Sequence, residues 1–206
     1  MRITQILALM TVVLLAPGLA LANHTTTQKR KLIVVDRASG KDKVAFSWRN
    51  KSLGSSAITK GDGTDVNQIS ARLDVAYLNG SAAGAFTLPA GASNGTDGWL
   101  VNSDKIAKYL NKAAPGGPTQ VTKATVKPNK AGRSQVKLIA RGLGDEGPLD
   151  ILSAGDPLSG GGVMTEFCVT NGGEEFCYPY TFMNFTCAYK LIAGGAGAKL
   201  VCRALS

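Results

Sequence analysis

In the stretch Lys43-Val44-Ala45-Phe46-Ser47-Trp48-Arg49-Asn50, large apolar side chains occupy every second position, at Val44, Phe46 and Trp48. Successive side chains of a β-strand point to opposite faces of a sheet, so this spacing places the three apolar groups on one face. The charged and polar residues of the stretch fall between them and share the other face. The pattern predicts a strand with one buried side and one solvated side.

Similar short patterns recur along the chain, separated by turns that are rich in glycine. They lie at 32–35, 69–78, 86–88, 99–101, 121–127, 134–141, 163–170, 176–182, 187–192 and 199–203. The segment 106–110 fits either a strand or a helical turn. Because no long helical pattern separates these segments, we predict an all-β fold, an antiparallel β-sandwich with a jelly-roll-like arrangement.

The first residues have the three parts of a secretory signal peptide. Arg2 supplies the positive end, an apolar core runs from Ile6 to Ala16, and Ala20-Leu21-Ala22 forms a cleavage site. The apolar core is too short to span a bilayer, which requires about 20 residues. We expect a signal peptide at 1–22, a flexible leader at 23–31 and a single β-sandwich domain at 32–206. The mature protein is then secreted, extracellular or periplasmic, with no integral membrane segment.

All four cysteines lie near the C-terminus: Cys168, Cys177, Cys187 and Cys202. An even number of cysteines in an exported protein predicts two disulfides. We favour a nested pairing, Cys168 with Cys202 and Cys177 with Cys187, and the alternative is the sequential pairing, Cys168 with Cys177 and Cys187 with Cys202. No two cysteines have the close spacing of zinc ligands, so no metal is expected there.

Few residues suit catalysis. The single histidine, His24, lies in the predicted leader, which disfavours serine triads and zinc hydrolases. Paired carboxylates of a hydrolase have candidates in Asp145, Glu146, Asp150, Glu166, Glu174 and Glu175. The segment 62–67 offers oxygen ligands but lacks the spacing of a calcium-binding EF-hand loop. We therefore expect no catalytic residues, no metal and no cofactor.

Positive charge is concentrated in one predicted hairpin. The chain has a net charge of +9, and from Lys105 to Arg141 there are nine Lys or Arg residues and no Asp or Glu. Four of these cations fall on the outward faces of the paired strands 121–127 and 134–141: Lys123, Lys127, Lys137 and Arg141. A positive sheet face suits an anionic polymer, whereas edge lysines also serve to block aggregation.

The segment between Cys177 and Cys187 is rich in aromatic residues and forms the second candidate surface. Its members are Tyr178, Tyr180, Phe182 and Phe185. Exposed aromatic rings on a pinned loop suit a carbohydrate or a protein partner. The alternative is that the same rings cover the open end of the core.

Several short motifs together resemble a group of predicted secreted bacterial β-sandwich proteins to which no activity is assigned. They are Ala71-Arg72-Leu73, Gly98-Trp99, the Lys105–Tyr109 segment, Gly117-Pro118, Phe167-Cys168 with Gly172-Gly173, and Cys202. The segment from Cys177 to Cys187 departs from that pattern. The resemblance implies a jelly-roll-like sandwich and supplies no catalytic residue.

The sequence favours a secreted, non-enzymatic binding or structural module that contacts an anionic polymer or a carbohydrate. The alternative is a secreted carbohydrate-active or other hydrolase that uses paired carboxylates.

Overall fold

The structure, a computed structural model, describes residues 29–39, 42–50, 69–81, 83–103, 106–112, 121–127, 134–141, 150–151 and 155–204. These ranges contain β-strands and two short 3-10 turns and no α-helix. The strands are β1 (Lys29–Arg37), β2 (Lys43–Asn50), β3 (Ser70–Tyr77), β4 (Ala83–Leu88), β5 (Asp97–Ser103), β6 (Ile106–Asn111), β7 (Val121–Lys127), β8 (Ser134–Arg141), β9 (Gly162–Asn171), β10 (Glu174–Met183), β11 (Cys187–Ile192) and β12 (Gly197–Arg203).

The strands form two antiparallel sheets, which confirms the predicted β-sandwich. The large sheet has the order β11-β12-β1-β2-β8-β7-β6-β5, and the small sheet has the order β10-β9-β3-β4. Strands that follow each other in sequence and share a sheet are hydrogen-bonded: β1 with β2, β5 to β8 in succession, and β11 with β12 in the large sheet, and β3 with β4 and β9 with β10 in the small sheet. The pairings β1–β12, β2–β8 and β3–β9 join these sets of strands. The jelly-roll-like arrangement stays a prediction.

The core lies between the two sheets and is formed by alternate residues of their strands. In β2, Val44, Phe46 and Trp48 are buried, as the alternation predicts. Phe46 stacks on Phe167 of the small sheet with ring centroids 6.3 Å apart. The other side of each sheet therefore faces outward, and its residues are set by the same period of two.

Three details differ from the sequence prediction. β1 begins at Lys29, so residues 29–31 belong to a strand and not to the leader. The ambiguous segment 106–110 is a strand, β6. In β7 the register shifts between Val121 and Lys123, so a bulge at Thr122 places Val121 in the core. Thr122 donates its hydroxyl proton to the carbonyl of Ile139 at 2.9 Å, which stabilises the bulge.

The nested disulfide pairing is wrong, and the sequential alternative is correct. Cys168 is bonded to Cys177 and Cys187 to Cys202. Each pair joins directly opposed residues of one hairpin, β9–β10 in the small sheet and β11–β12 in the large sheet. The favoured Cys168–Cys202 bond would have to join residues of different sheets, with Cys168 on an outward side and Cys202 in the core.

Several predictions fall outside the described residues. They concern the signal peptide, the leader at 23–28, the loop 62–67 and the turn 128–133. Within the described ranges, no helix has the length and apolar character needed to cross a bilayer.

Candidate functional site

The outward side of the large sheet, here called the basic face, contains the predicted cationic hairpin. Lys123, Lys137 and Arg141 are exposed at outward positions of β7 and β8. Lys127 lies in β7 opposite Gln135. The structure thus places the four predicted cations in one hairpin, and strand alternation gives Lys123, Lys137 and Arg141 a common outward direction.

The basic face extends well beyond this hairpin, across β1, β2, β6, β11 and β12. Five further cations lie at outward positions of β1 and β2: Lys29, Lys31, Arg37, Lys43 and Arg49. Four more lie on β6, β11 and β12: Lys108, Lys190, Lys199 and Arg203. No Asp or Glu occupies an outward position in the described strands of this sheet.

Many of these cations are placed directly opposite each other. The like-charged pairs are Lys29 with Arg49, Lys31 with Arg203, Lys43 with Arg141, and Lys190 with Lys199. Like charges in such cross-strand positions destabilise a sheet, because the Cβ atoms of directly opposed residues are only about 5 Å apart. The basic face therefore carries electrostatic repulsion that its own described side chains do not neutralise.

The register arranges the cations in two rows that run across the strands. The first row follows Lys190, Lys199, Val35, Lys43 and Arg141. The second row follows Arg203, Lys31, Ser47, Lys137, Thr125 and Lys108. The rows lie four residues apart along each strand, a distance of about 13 Å.

An aliphatic row lies between the two cation rows. Its members on the four central strands are Val201, Ile33, Ala45 and Ile139, all half-buried. These side chains are shorter than the lysines and arginines on either side. The central part of the basic face is therefore a shallow trough with an aliphatic floor and cationic walls.

A cleft of about 370 Å³ opens at the edge of the second cation row. Its cationic lining comes from Lys29, Lys31, Arg49, Lys137 and Arg203. Ser47 and Gln135 also line it and supply a neutral hydroxyl and a neutral amide. A volume of this size lies at the lower end of the range for small-molecule sites.

Arg30 borders the cleft from the inward side of β1 and is buried. Its guanidinium carbon lies 4.1 Å from the ring centroid of Tyr180 and 4.8 Å from that of Trp48. Nη1 donates a hydrogen bond to the carbonyl of Pro179 at 3.1 Å, which links β1 to β10. Burial lowers the pKa of Arg30 to about 10, partly offset by Tyr180, so the group keeps its charge at neutral pH.

Comparison with family models, curated proteins and solved structures finds no match to this chain. The resemblance to secreted bacterial sandwich proteins stays a prediction, and the functional argument depends on the geometry of the site alone.

The predicted aromatic loop is wrong, because Tyr178, Tyr180 and Phe182 belong to strand β10 and lie on its inward side. Phe182 is fully buried. Tyr178 packs on Trp48 with ring centroids 4.6 Å apart, and burial raises its pKa. Among the four predicted residues, Phe185 is the exposed one, at 72% exposure in the turn after β10. The rings of Tyr178, Tyr180 and Phe182 instead pack against the core, as in the alternative explanation.

Two of the carboxylates considered for hydrolysis, Glu166 and Glu175, lie on the outward side of the small sheet. Glu166 lies on the outward side of the small sheet, directly opposite Asp74 on the neighbouring strand. Arg72 contacts Asp74 at 2.7 Å and Glu175 at 3.9 Å on the same side. Asp145 and Glu146 lie outside the described residues. Because Arg72 pairs with Asp74 and Glu175, this cluster has a structural explanation, and the hydrolase alternative stays a prediction.

Glu166 also lies close to the sulfur atoms of Cys168 and Cys177. Both sulfurs are joined in a disulfide, which removes them as metal ligands. This group therefore does not form a metal site while the bond is intact.

Most of the basic face is not visible in the sequence. Lys29 and Lys31 fall in the predicted leader, and no local pattern connects the cations of β11 and β12 with the hairpin. Strand alternation gave the outward direction of Lys43 and Arg49. The missing information was the order of the strands, because β12 lies beside β1, and β8 beside β2, through pairings between segments that are distant in sequence.

Proposed function

We propose that this protein is a secreted, non-enzymatic binding module whose basic face holds an anionic polymer. The observation that carries this proposal is the set of four directly opposed cation pairs on a face without an outward carboxylate in its described strands. An anionic ligand that lies between opposed cations replaces repulsion with attraction. A sheet surface that serves only stability gains nothing from this arrangement.

The extent of the face matches a polymer better than a small anion. The second cation row runs from Arg203 on β12 to Lys108 on β6, across six strands. Adjacent strands lie about 4.8 Å apart, so this row spans about 24 Å. A polyanion that neutralises many cations releases its condensed counterions, which makes binding strong at low salt and weak at high salt.

The basic face offers charge without stacking surfaces. No aromatic residue occupies an outward position in the described strands of the large sheet. Proteins that bind single-stranded nucleic acids stack the bases on aromatic side chains. The proposed ligand is therefore held through its charged groups and backbone and not through exposed bases.

Secretion is supported by the signal peptide predicted at 1–22 and by the two disulfides. Structural disulfides persist in oxidising compartments such as the periplasm and the extracellular space. The hydrolase alternative stays a prediction that no described carboxylate arrangement favours.

The test uses two matched variants that each add one negative charge at an outward strand position. Ser47→Glu places the charge between Lys31 and Lys137 in the second cation row. Thr87→Glu places it on the small sheet opposite Arg72. We expect the wild type and Thr87→Glu to be retained on heparin with a strong salt dependence. Ser47→Glu should bind about tenfold more weakly, with a shallower salt slope.

Two results contradict the proposal. One is a wild type that heparin, DNA and polyphosphate columns all fail to retain at low salt. The other is an equal loss of retention in both variants, which would place the interaction away from the basic face. Thermal unfolding of each variant shows that the comparison is made between folded proteins.

A further inference from the structure

The cleft in the basic face contains groups that a purely electrostatic site does not need. Ser47 of β2 and Gln135 of β8 are diagonal neighbours on one face, two residue pairs apart in the register, and both line the cleft. Lys31 and Lys137 flank Ser47 directly, and Arg49 flanks Gln135. Neutral hydrogen-bonding groups therefore stand in the middle of a ring of cations.

This combination selects among anionic ligands. A phosphate chain presents only charged oxygen atoms, and the cations satisfy those completely. A sugar that carries a carboxylate or a sulfate presents hydroxyl groups as well as charge. The hydroxyl of Ser47 and the amide of Gln135 can each donate to and accept from such hydroxyls, whereas the cations can only donate.

The aliphatic floor of the trough also favours a sugar ligand. Its floor consists of Ile33, Ala45, Ile139 and Val201, which lie below the longer side chains of the two cation rows. Sugar rings bear apolar C–H surfaces that pack against aliphatic side chains, with their charged substituents directed to either side. A flat lipid surface would meet the cationic walls and leave this floor unused.

We infer that the polymer is an acidic polysaccharide with one acidic sugar unit in the cleft and the next units in the trough, and that it passes from one to the other over Ser47, the short side chain between Lys31 and Lys137 in the second cation row. This inference rests on the proposed function, because it names the chemical class of the polymer that the basic face holds. A cleft of about 370 Å³ has room for one sugar unit. The sugar units that follow it on one side of the polymer lie in the trough between the cation rows.

The test removes the neutral groups and leaves every charge in place. The double variant Ser47→Ala, Gln135→Met loses the hydroxyl and the amide of the cleft with little change in shape. The control variant Thr125→Val loses a hydroxyl from the same cation row, at a position outside the cleft lining. Affinities are measured for heparin, polygalacturonate, polyphosphate and double-stranded DNA at one low salt concentration.

We expect the double variant to bind heparin and polygalacturonate about tenfold more weakly than the wild type, since it loses hydrogen bonds to the sugar hydroxyls. Its affinity for polyphosphate and DNA should stay within twofold, and Thr125→Val should match the wild type for every polymer.

The remaining outcomes distinguish failure of the polysaccharide inference from failure of the proposed function. Equal losses for all four polymers, or no loss for any, would overturn the polysaccharide inference and leave the anionic-polymer function standing. Preferred binding of polyphosphate or DNA by the wild type would overturn it as well. No binding of any polymer by the wild type would contradict the proposed function itself.

Discussion

The outward sides of the two sheets distribute charge in opposite ways. On the small sheet, the guanidinium of Arg72 contacts the carboxylates of Asp74 and Glu175. The hydrogen bond to Asp74 raises the pKa of Arg72, and the nearby Glu175 and Glu166 act in the same direction. On the basic face, each of four cross-strand positions instead brings two cations together.

On the proposed function, the difference separates a surface that serves its own stability from a surface that binds an external partner. Asp74 and Glu166 are also like charges in opposed positions, but Arg72 lies beside them and lowers their repulsion. The basic face has no corresponding carboxylate at an outward position of its described strands. We propose that opposed like charges without counter-charges on the same surface are retained here for binding, because they destabilise the free sheet.

The largest effect is expected from the disulfides, which anchor one hairpin in each sheet. Removal of the large-sheet bond in Cys187→Ala, Cys202→Ala should lower the free energy of unfolding by about 4 kcal/mol. About 3 kcal/mol of this comes from loop entropy and the rest from a cavity, since Cys202 is part of the core. Removal of the small-sheet bond in Cys168→Ala, Cys177→Ala should lower it by roughly 3 kcal/mol, because Cys168, although also buried, lies on the outward side beneath the exposed side chain of Arg72, which can close over the gap.

Denaturant unfolding of the two double variants measures this difference. Both closed loops are short, at separations of 15 and 9 residues, so loop entropy alone predicts nearly equal values. A greater loss for the small-sheet pair would contradict the assignment of Cys202 to the core and of Cys168 to the outward side.

A smaller effect is expected from Arg72→Met, which removes the one cation among the three outward carboxylates. The variant should lose about 1 kcal/mol of unfolding free energy, because two surface ion pairs disappear and the repulsion between Asp74 and Glu166 increases. The loss should shrink at high salt, where repulsion between exposed charges is screened. A loss that is the same at low and high salt would indicate that Arg72 acts through packing.

The smallest effect is expected from Lys199→Glu, and it has the opposite sign. This change converts the opposed pair of Lys190 and Lys199 into an attractive pair, so the free energy of unfolding should rise by about 0.5 kcal/mol. Lys199→Gln, which only removes repulsion, should give a smaller rise. Retention on heparin should fall in both variants, so a protein that becomes more stable becomes a weaker binder. Loss of stability in Lys199→Glu would show that this cation pair is not under repulsion.

The fold class was predictable because strand alternation is a local property of the chain. The bounds 43–50, 121–127 and 134–141 agree with β2, β7 and β8, whose apolar residues alternate with polar ones. The same rule could have corrected the aromatic loop. Tyr178, Tyr180 and Phe182 lie two residues apart, which is the spacing of one face of a strand.

The disulfide pairing and the full basic face could not be obtained from local patterns. Both depend on which strands are neighbours, and the sequence does not show that β12 lies beside β1 or that β2 lies beside β8. The nested pairing assumed that Cys168 and Cys202 were on adjoining strands, and the structure places these strands in different sheets. The bulge in β7 could not be predicted for the same reason, because the register of a strand depends on its partner strand.

The pairing of β1 with β12 also determines when the proposed binding surface forms during folding. Lys31 is opposite Arg203, so two walls of the cleft are separated by 172 residues of chain. Pairing between such distant segments closes a long loop and folds slowly. The hairpin β7–β8 can form early from adjacent residues, but the cleft is completed only after β12 has docked. A chain interrupted before β12 would keep a basic hairpin and lack the site, so the proposed binding activity reports on completed folding.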